Sequence, residues 1–345
     1  MSTKNTQLLK CNQALPIGGE VTRRVGEGLR IVYMGTPDFA VEPLRQLLDN
    51  NYNVVAVVTM PDKAIGRHHD TLQSSPVKKF ALERGLPVLQ PEKLKDEAFL
   101  EDLRSYKADL QIVVAFRMLP EVVWAMPPKG TFNLHTALLP QYRGAAPMNW
   151  AIINGDKETG VTTFFLDHDI DTGRIIMQSR TPIHDTDNVE DIHDRLMMMG
   201  SELVLKTVRA IQDGTAESVP QEQFLTDEPL RHAPKIFKET CQINWNQSAE
   251  QVYNFVRGLS PYPAAWSTLV FPDGKRQDVK VFRTSRLVDA SAPQPGTVQA
   301  DGKSLRVAVA DGYIVIDELQ IAGKKRMPTV DFLRGARIPE GARFE

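Results

Sequence analysis

Short apolar runs alternate with amphipathic stretches along the first two thirds of the chain. Leu29–Met34 is one such run and predicts a buried strand ending at Gly35. Thr36 is placed to cap a following helix with Pro37 in its first turn. Val41, Leu44, Leu47 and Leu48 then fall on one helical face until Asp49-Asn50-Asn51 stops it, and Val54–Val58 is the next strand. Strand, helix and strand at this spacing make a βαβ unit, and hence a parallel sheet. Ser75-Pro76 opens a helix that Gly85 closes, Leu110–Ala115 is another buried strand, and Thr131–His135 is a short one. Val161–Leu166, β-branched and aromatic, and Arg174–Gln178 add two more. Asp187 with Glu190 three residues later reads as a capping box. The long helix behind it carries Ile192, Leu196, Met199, Leu203 and Val204 on one face and ends near Gly214. The run Met197-Met198-Met199 belongs to core packing rather than to a metal site.

The pattern then changes. From Gln221 to Glu239 the chain is polar, broken by Pro229 and Pro234, and has no sustained period, as in a linker. Beyond it come one helix, Ala249–Gly258, and short alternating runs at Val279–Phe282, Leu305–Val309 and Tyr313–Ile316. Asp273-Gly274, Asp301-Gly302 and Asp311-Gly312 are hairpin signals between them, and a small β-barrel is the natural closure.

Composition refines this picture in three places. The 345 residues suggest two domains, and 42% hydrophobic content is enough for a core in each. The net charge of -2 is uneven: Ala233–Glu345 holds 16 Lys+Arg against 12 Asp+Glu, and the other 232 residues hold 25 against 31. A basic C-terminal part behind an acidic one suggests an anionic partner for that part alone, with a chance distribution of surface charge as the alternative. Cys11 and Cys241 are far apart and lack Cys or His neighbours at metal spacing, which points to a reducing, cytoplasmic setting without disulfides or a metal site. No run of eighteen apolar residues suggests a membrane span. Residues 1–28 are polar, without an apolar signal core, and are expected to be a disordered extension.

The candidate chemistry gathers where the predicted sheet would put a ligand. Asn133 and His135 are two apart at the C-terminal end of a strand, so they share a face. Open α/β sheets bind ligands outside that end. Asp167, Asp169 and Asp171 follow about thirty residues on, just before Gly173. An amide can hold a polarised carbonyl oxygen, an imidazole can move a proton near neutral pH, and a carboxylate can orient the imidazole. Spacing does not choose among the three aspartates, and a buried polar network tying strands together is the competing reading. Gly35-Thr36-Pro37-Asp38-Phe39 lacks the G-x-G-x-x-G spacing, so a dinucleotide site is poorly supported.

The ordered set Asn133-Leu134-His135, Leu138-Leu139-Pro140, Tyr142-Arg143-Gly144 and Asp171-Thr172-Gly173 resembles the formyltransferases that use 10-formyltetrahydrofolate. The likeness runs from about Leu29 to Phe344, and within the family it is strongest to the branch acting on initiator Met-tRNA. It implies a Rossmann-like, mostly parallel formyltransferase domain over residues 29–220, a linker at 221–240, and a smaller OB-like β-barrel domain at 241–345 that binds tRNA. It implies Asn133, His135 and Asp171 as the catalytic residues, and no metal.

For the folate donor the resemblance points to Ala137, Leu138, Leu139 and Pro140, with Ala137 standing where the family usually has Ser, and to Phe116, Arg117, Met118 and Leu119. Arg117 stands where relatives often carry Gly; contact with the folate glutamate tail and a surface ion pair are both open for it. For tRNA it points to Lys63 and Arg67 in the long loop after the second strand, where His68 and His69 replace a more basic run. In the basic C-terminal part, Lys324, Lys325 and Arg326 are open to two readings: a solvated turn or, on an OB-like barrel, a contact to phosphates. Pro261–Trp266 resembles a structural signature of that domain. No obligate protein partner is evident. An amino-sugar nucleotide or glycinamide ribonucleotide as acceptor, hydrolysis of the donor to formate, and a catalytically silent RNA-binding module are the competing functions.

Overall fold

The computed structural model describes residues 28–65 and 71–345. The expected N-terminal extension, Gly28 apart, lies outside the described residues, as do Arg67, His68 and His69. The chain divides into two compact units. One holds the residues up to Arg143 with Gly160–Thr181 and His193–His232; the other holds Gly144–Thr159, Pro182–Ile192 and Ala233–Glu345.

The first unit is built on a seven-stranded sheet: β1 (Arg30–Gly35), β2 (Asn53–Val58), β3 (Val88–Leu89), β4 (Leu110–Val114), β5 (Thr131–His135), β6 (Glu158–Phe165) and β7 (Ile175–Pro182). Its spatial order is β7-β6-β5-β4-β1-β2-β3. All pairs from β3 to β5 are parallel, and β5 meets β6 antiparallel. The Rossmann-like, mostly parallel sheet expected from the sequence is therefore present. Ile31, Val32, Tyr33 and Met34 of β1 are wholly buried, as the unbroken apolar run requires of a strand covered on both faces. Part of that cover is the helix Glu97–Ser105, whose Phe99, Leu100 and Leu103 pack on Val32, Met34 and Val113. This helix was not expected; it is short, and Asp96 starts it by accepting from the Ala98 and Phe99 amides.

Two expected caps fall elsewhere. Thr36 does not cap a helix: Asp38–Ala40 forms a 3₁₀ turn that runs into the helix Val41–Asp49, and the Thr36 hydroxyl is buried with no partner among the described residues. The long helix Val189–Gln212 is capped by Asn188, whose Oδ1 accepts from the amides of Glu190 and Asp191 while Asp191 accepts from the Asn188 amide. The reciprocal box is thus one residue later than Asp187 with Glu190. Asp187 instead accepts from the His184 amide. Ser75 caps Pro76–Glu83 as expected.

The second unit closes a barrel from β8 (Ala265–Val270), β9 (Arg276–Val288), β10 (Val298–Ala300), β11 (Leu305–Val309), β12 (Gly312–Ile321) and β13 (Arg343–Phe344). The order is β10-β11-β12-β9-β8-β13, and an antiparallel bridge between Thr297 and Arg343 brings the two edges together. The OB-like barrel expected from the sequence is present as this nearly closed antiparallel sheet. Gly274 and Gly302 take the positive φ that their hairpin turns demand. The core, with Trp245, Val281, Ile314, Ile316 and Phe344, is plugged by the helix Ala249–Leu259, which starts with a Ser248/Gln251 capping box.

The two internal segments group with this unit for a reason visible on that helix. Asn149 donates to the Gly258 carbonyl at 2.8 Å. Buried Arg257 donates to the carbonyls of His184 at 3.1 Å and Asp187 at 2.8 Å. Burial pulls the Arg257 guanidinium below its ordinary value.

Ile316→Ala is expected to destabilise the barrel unit by about 2–5 kcal/mol. Ser248→Ala should cost about 1 kcal/mol. Urea unfolding followed by tryptophan fluorescence ranks the two; a larger loss at Ser248 would contradict this account of the helix start.

Candidate active site

The site begins with β5. Asn133 lies opposite Val113 on the parallel side and Phe164 on the antiparallel side, and His135 lies opposite Thr162. β5 thus sits where the sheet changes from parallel to antiparallel pairing. The His135 ring is buried, with the edge of its neighbour Phe164 at a centroid distance of 6.4 Å. Its Nε2 lies 2.8 Å from the Tyr142 carbonyl oxygen. A carbonyl only accepts, so Nε2 carries a hydrogen and Nδ1 is the nitrogen free to take a proton. Nδ1 faces Asp171 Oδ2 at 3.8 Å, an ion-pair separation rather than a hydrogen bond. The Asn133 amide is half-buried and makes no hydrogen bond to another described residue.

The three aspartates of the loop from Asp167 to Gly173 point in different directions. Asp167 accepts from the Thr172 hydroxyl at 2.6 Å and the Asp169 amide at 3.3 Å, and both Asp167 and Asp169 are exposed. Asp171 alone of the three is turned toward His135, and its backbone takes a φ of 56° to do so. Gly173 lets the loop return against β6, because a Cβ there would stand 1.6 Å from the Phe165 carbonyl oxygen. His168 is exposed, edge-on to Trp124.

Sequence reasoning missed the residues that hold these groups. Gln221, first residue of a 3₁₀ turn in the expected linker, is 1% exposed and donates to the carbonyls of Asp171 at 2.7 Å and Gly173 at 2.9 Å. Thr162 donates to the Ala137 carbonyl at 2.7 Å and accepts from the Leu139 amide, while Gln178 donates to the Leu139 carbonyl at 2.8 Å and to Thr162 Oγ1. These bonds fasten the Ala137–Pro140 turn, which contains a cis Leu139-Pro140 bond. The only signal in the sequence was polarity at positions where strand or linker was expected, and polarity does not name a partner.

The expected donor-binding residues divide by exposure. Ala137, Leu139 and Leu119 are buried side chains that pack into the unit, and Pro140 is buried with them. Phe116 and Leu138 are half-buried, and Met118 is 73% exposed. Arg117 makes no ion pair among the described residues; it donates to the carbonyls of Pro91 and Glu92, and burial lowers its pKa.

The expected tRNA contacts divide too. Lys63 is exposed on a hairpin strand, Lys63–Ile65, paired with Thr71–Gln73. At the base of that hairpin, the Lys78 ammonium and then the Gln90 amide hold the Asp62 carboxyl below its usual range. Lys324 and Lys325 are exposed on the turn after β12. Arg326 is engaged: it grips Glu318 with two hydrogen bonds of 2.7 and 2.8 Å and lies over Phe282. Among the described residues no cluster of three His, Cys, Asp or Glu could hold a metal, and no helix is long and apolar enough to cross a membrane.

Known proteins resemble the chain over most of its length. Residues 29–208 match the formyl transferase family, and residues 235–337 match the formyl transferase C-terminal domain. A methionyl-tRNA formyltransferase of Bacteroides thetaiotaomicron is 62% identical over 91% of this chain and 98% of its own. One from Flavobacterium johnsoniae is 46% identical over 92% and 99%. Among solved structures, the sugar 3N-formyl transferase WlaRD, crystallised with dTDP and 5-N-formyl-THF, superposes with a TM-score of 0.60 at 19% identity, over 87% of this chain and all of its own. HypX from Aquifex aeolicus in complex with tetrahydrofolic acid gives 0.59 at 19%, over 89% and 47%.

Thr162→Val keeps the shape but removes the hydroxyl that joins Ala137, Leu139 and Gln178. Leaving buried polar groups unpaired should cost about 1–3 kcal/mol. Thermal unfolding at matched pH reads the loss, and an unchanged midpoint would show that these bonds do not hold the turn.

Proposed function

The chain belongs to the formyl transferase family, and from that premise we propose that it formylates the α-amino group of methionine carried on initiator tRNA, with 10-formyltetrahydrofolate as donor. The observation that carries the acceptor is the near full-length likeness to proteins named for that reaction. The folate-bound relatives of the same fold support the donor class.

In this reading the amine nitrogen bonds to the formyl carbon, the bond from that carbon to N10 of the folate breaks, and a proton lost by the amine is made up at N10. The Asn133 amide, unengaged among the described residues, donates to the oxygen that gains charge as the formyl carbon becomes tetrahedral. A donor of this kind contributes about 3–4 kcal/mol of transition-state stabilisation. His135 moves the proton through Nδ1, directly or through water, while the Tyr142 carbonyl fixes the ring. Asp171 stabilises the protonated ring across the 3.8 Å gap.

Accessible apolar atoms of Phe116, Met118 and Leu138 suit the flat face of a pterin, so the chain's residues fit the donor. Leu119, Leu139, Ala137 and Pro140 serve from behind as packing, and Arg117 braces the Pro91–Glu92 backbone. Lys63 and Arg67 on one unit and Lys324 and Lys325 on the other are the proposed phosphate contacts, with Arg326 holding its turn through Glu318. On the barrel unit a cleft of about 510 Å³ lined by Lys238, Lys280, Tyr262 and Trp266 reaches Gly323, beside those lysines. Aromatic faces among cations suit RNA. The reaction belongs to translation initiation, and we place it in the cytoplasm.

Formyl transfer from 10-formyltetrahydrofolate to initiator Met-tRNA should be robust, with free methionine and an amino-sugar nucleotide inert as parallel acceptors. Transfer only to the sugar nucleotide, or formate release without acceptor, would discard the tRNA assignment. His135→Ala should lower the rate about 10²–10⁴-fold with tRNA affinity largely intact. Lost binding with retained activity would reverse the roles. Replacing Lys324 and Lys325 by Ala should weaken tRNA binding at low salt and flatten the slope of log K against log salt by roughly 0.7–0.9 per phosphate contact removed. An unchanged slope would clear that turn of any phosphate contact.

A further inference from the structure

Gln221 lies in neither of the two stretches that match the family, 29–208 and 235–337, and sequence polarity places it in a linker. In the folded chain it is among the most buried polar residues of the first unit. Its side-chain amide is used at both ends. The two N–H groups go to the carbonyls of Asp171 and Gly173, and Oε1 accepts from Arg143 Nε at 3.1 Å and Nη2 at 2.7 Å. No other side chain of similar size donates twice and accepts twice in this geometry.

These bonds complete a ring. His135 Nε2 donates to the carbonyl of Tyr142; the next residue, Arg143, grips Gln221; Gln221 grips the backbone of Asp171; and the Asp171 carboxylate faces His135 Nδ1. Both sides of the His135–Asp171 gap are thus tied to one amide. The Asp171 backbone needs such a tie, because a non-glycine residue at a φ of 56° is held by its surroundings rather than by its own preference.

We propose that Gln221 is a positioning residue for formyl transfer, which, joined to Arg143, sets the separation and orientation of Asp171 and His135. The inference rests on the catalytic reading of those two residues given above. Gln221 is too deeply buried to meet a substrate, so its effect passes through Asp171. That makes its effect conditional on Asp171 being present, which a merely structural residue's would not be.

The test is a double-mutant cycle on the full-length enzyme, with initiator Met-tRNA and 10-formyltetrahydrofolate as substrates. Gln221→Met keeps the bulk and removes every hydrogen bond. Gln221→Glu keeps the grip on Arg143 and sets an oxygen against two carbonyls. Each should lower kcat about 10–100-fold, the scale of a small misplacement of a catalytic group, with both KM values within about twofold of the parent. In an Asp171→Ala background the same substitutions should change kcat by less than about twofold. Circular dichroism and thermal unfolding identify which variant is folded, and either one alone completes the cycle.

Parent-like kcat in a folded Gln221 variant, a loss that multiplies with that of Asp171→Ala, or a rise in KM with kcat retained would each overturn the proposal. Parent-like kcat in Asp171→Ala itself would instead strike down the catalytic assignment on which it rests. The two failures are therefore distinct.

Discussion

One buried hydrogen bond, from His135 Nε2 to the Tyr142 carbonyl, governs what the site can do. It fixes which nitrogen carries the resting hydrogen, and so leaves Nδ1 as the nitrogen open to a proton. It fixes the ring plane, and hence where a carboxylate must stand to be useful. The positive φ at Asp171, the close return of the chain at Gly173 and the grip of Gln221 all follow as conditions for bringing that carboxylate to Nδ1. The bond exists only because the chain turns back at Tyr142 after the cis-proline turn, and Thr162 and Gln178 hold that turn.

The position of β5 supplies the other constraint. Parallel pairing with β4 and antiparallel pairing with β6 meet on this strand. Open sheets of this kind place ligands outside the carboxyl ends of their strands, and Asn133 and His135 are at that end of β5. The polar residues that fasten the candidate site come from β6, β7 and the 3₁₀ turn at Gln221, so the antiparallel side of the sheet is its scaffold. The parallel side is apolar and supports β5 from behind.

The barrel unit depends on a different kind of interaction. Its helix Ala249–Leu259 plugs the core and, through Arg257 and Gly258, ties in segments from the middle of the chain. Placing a guanidinium out of water is unfavourable unless carbonyls and amide oxygens satisfy it, and His184, Asp187 and Asn254 do so. The basic surface of the unit is thereby separated from its one deeply buried cation: Arg257 serves the fold, while Lys324 and Lys325 stay in solvent.

The sequence by itself determined the class of the fold, because apolar runs of strand length and one-sided helices dictate their own burial. It determined the barrel as well, through alternation and Asp-Gly turns, and it brought out Asn133 and His135 at a strand end and an aspartate on a loop. The helix Glu97–Ser105 escaped because it is short, and the cap at Asn188 was misplaced by one residue because Asp and Asn cap equally well. Tertiary structure alone decided which aspartate faces the imidazole, which apolar residues of the two loops remain accessible, and that Gln221 belongs to the site. Those outcomes depend on contacts between residues up to 78 positions apart, as from Arg143 to Gln221. The direction of a hydrogen bond across such a distance is set by how the elements pack, and no local pattern in the chain encodes it.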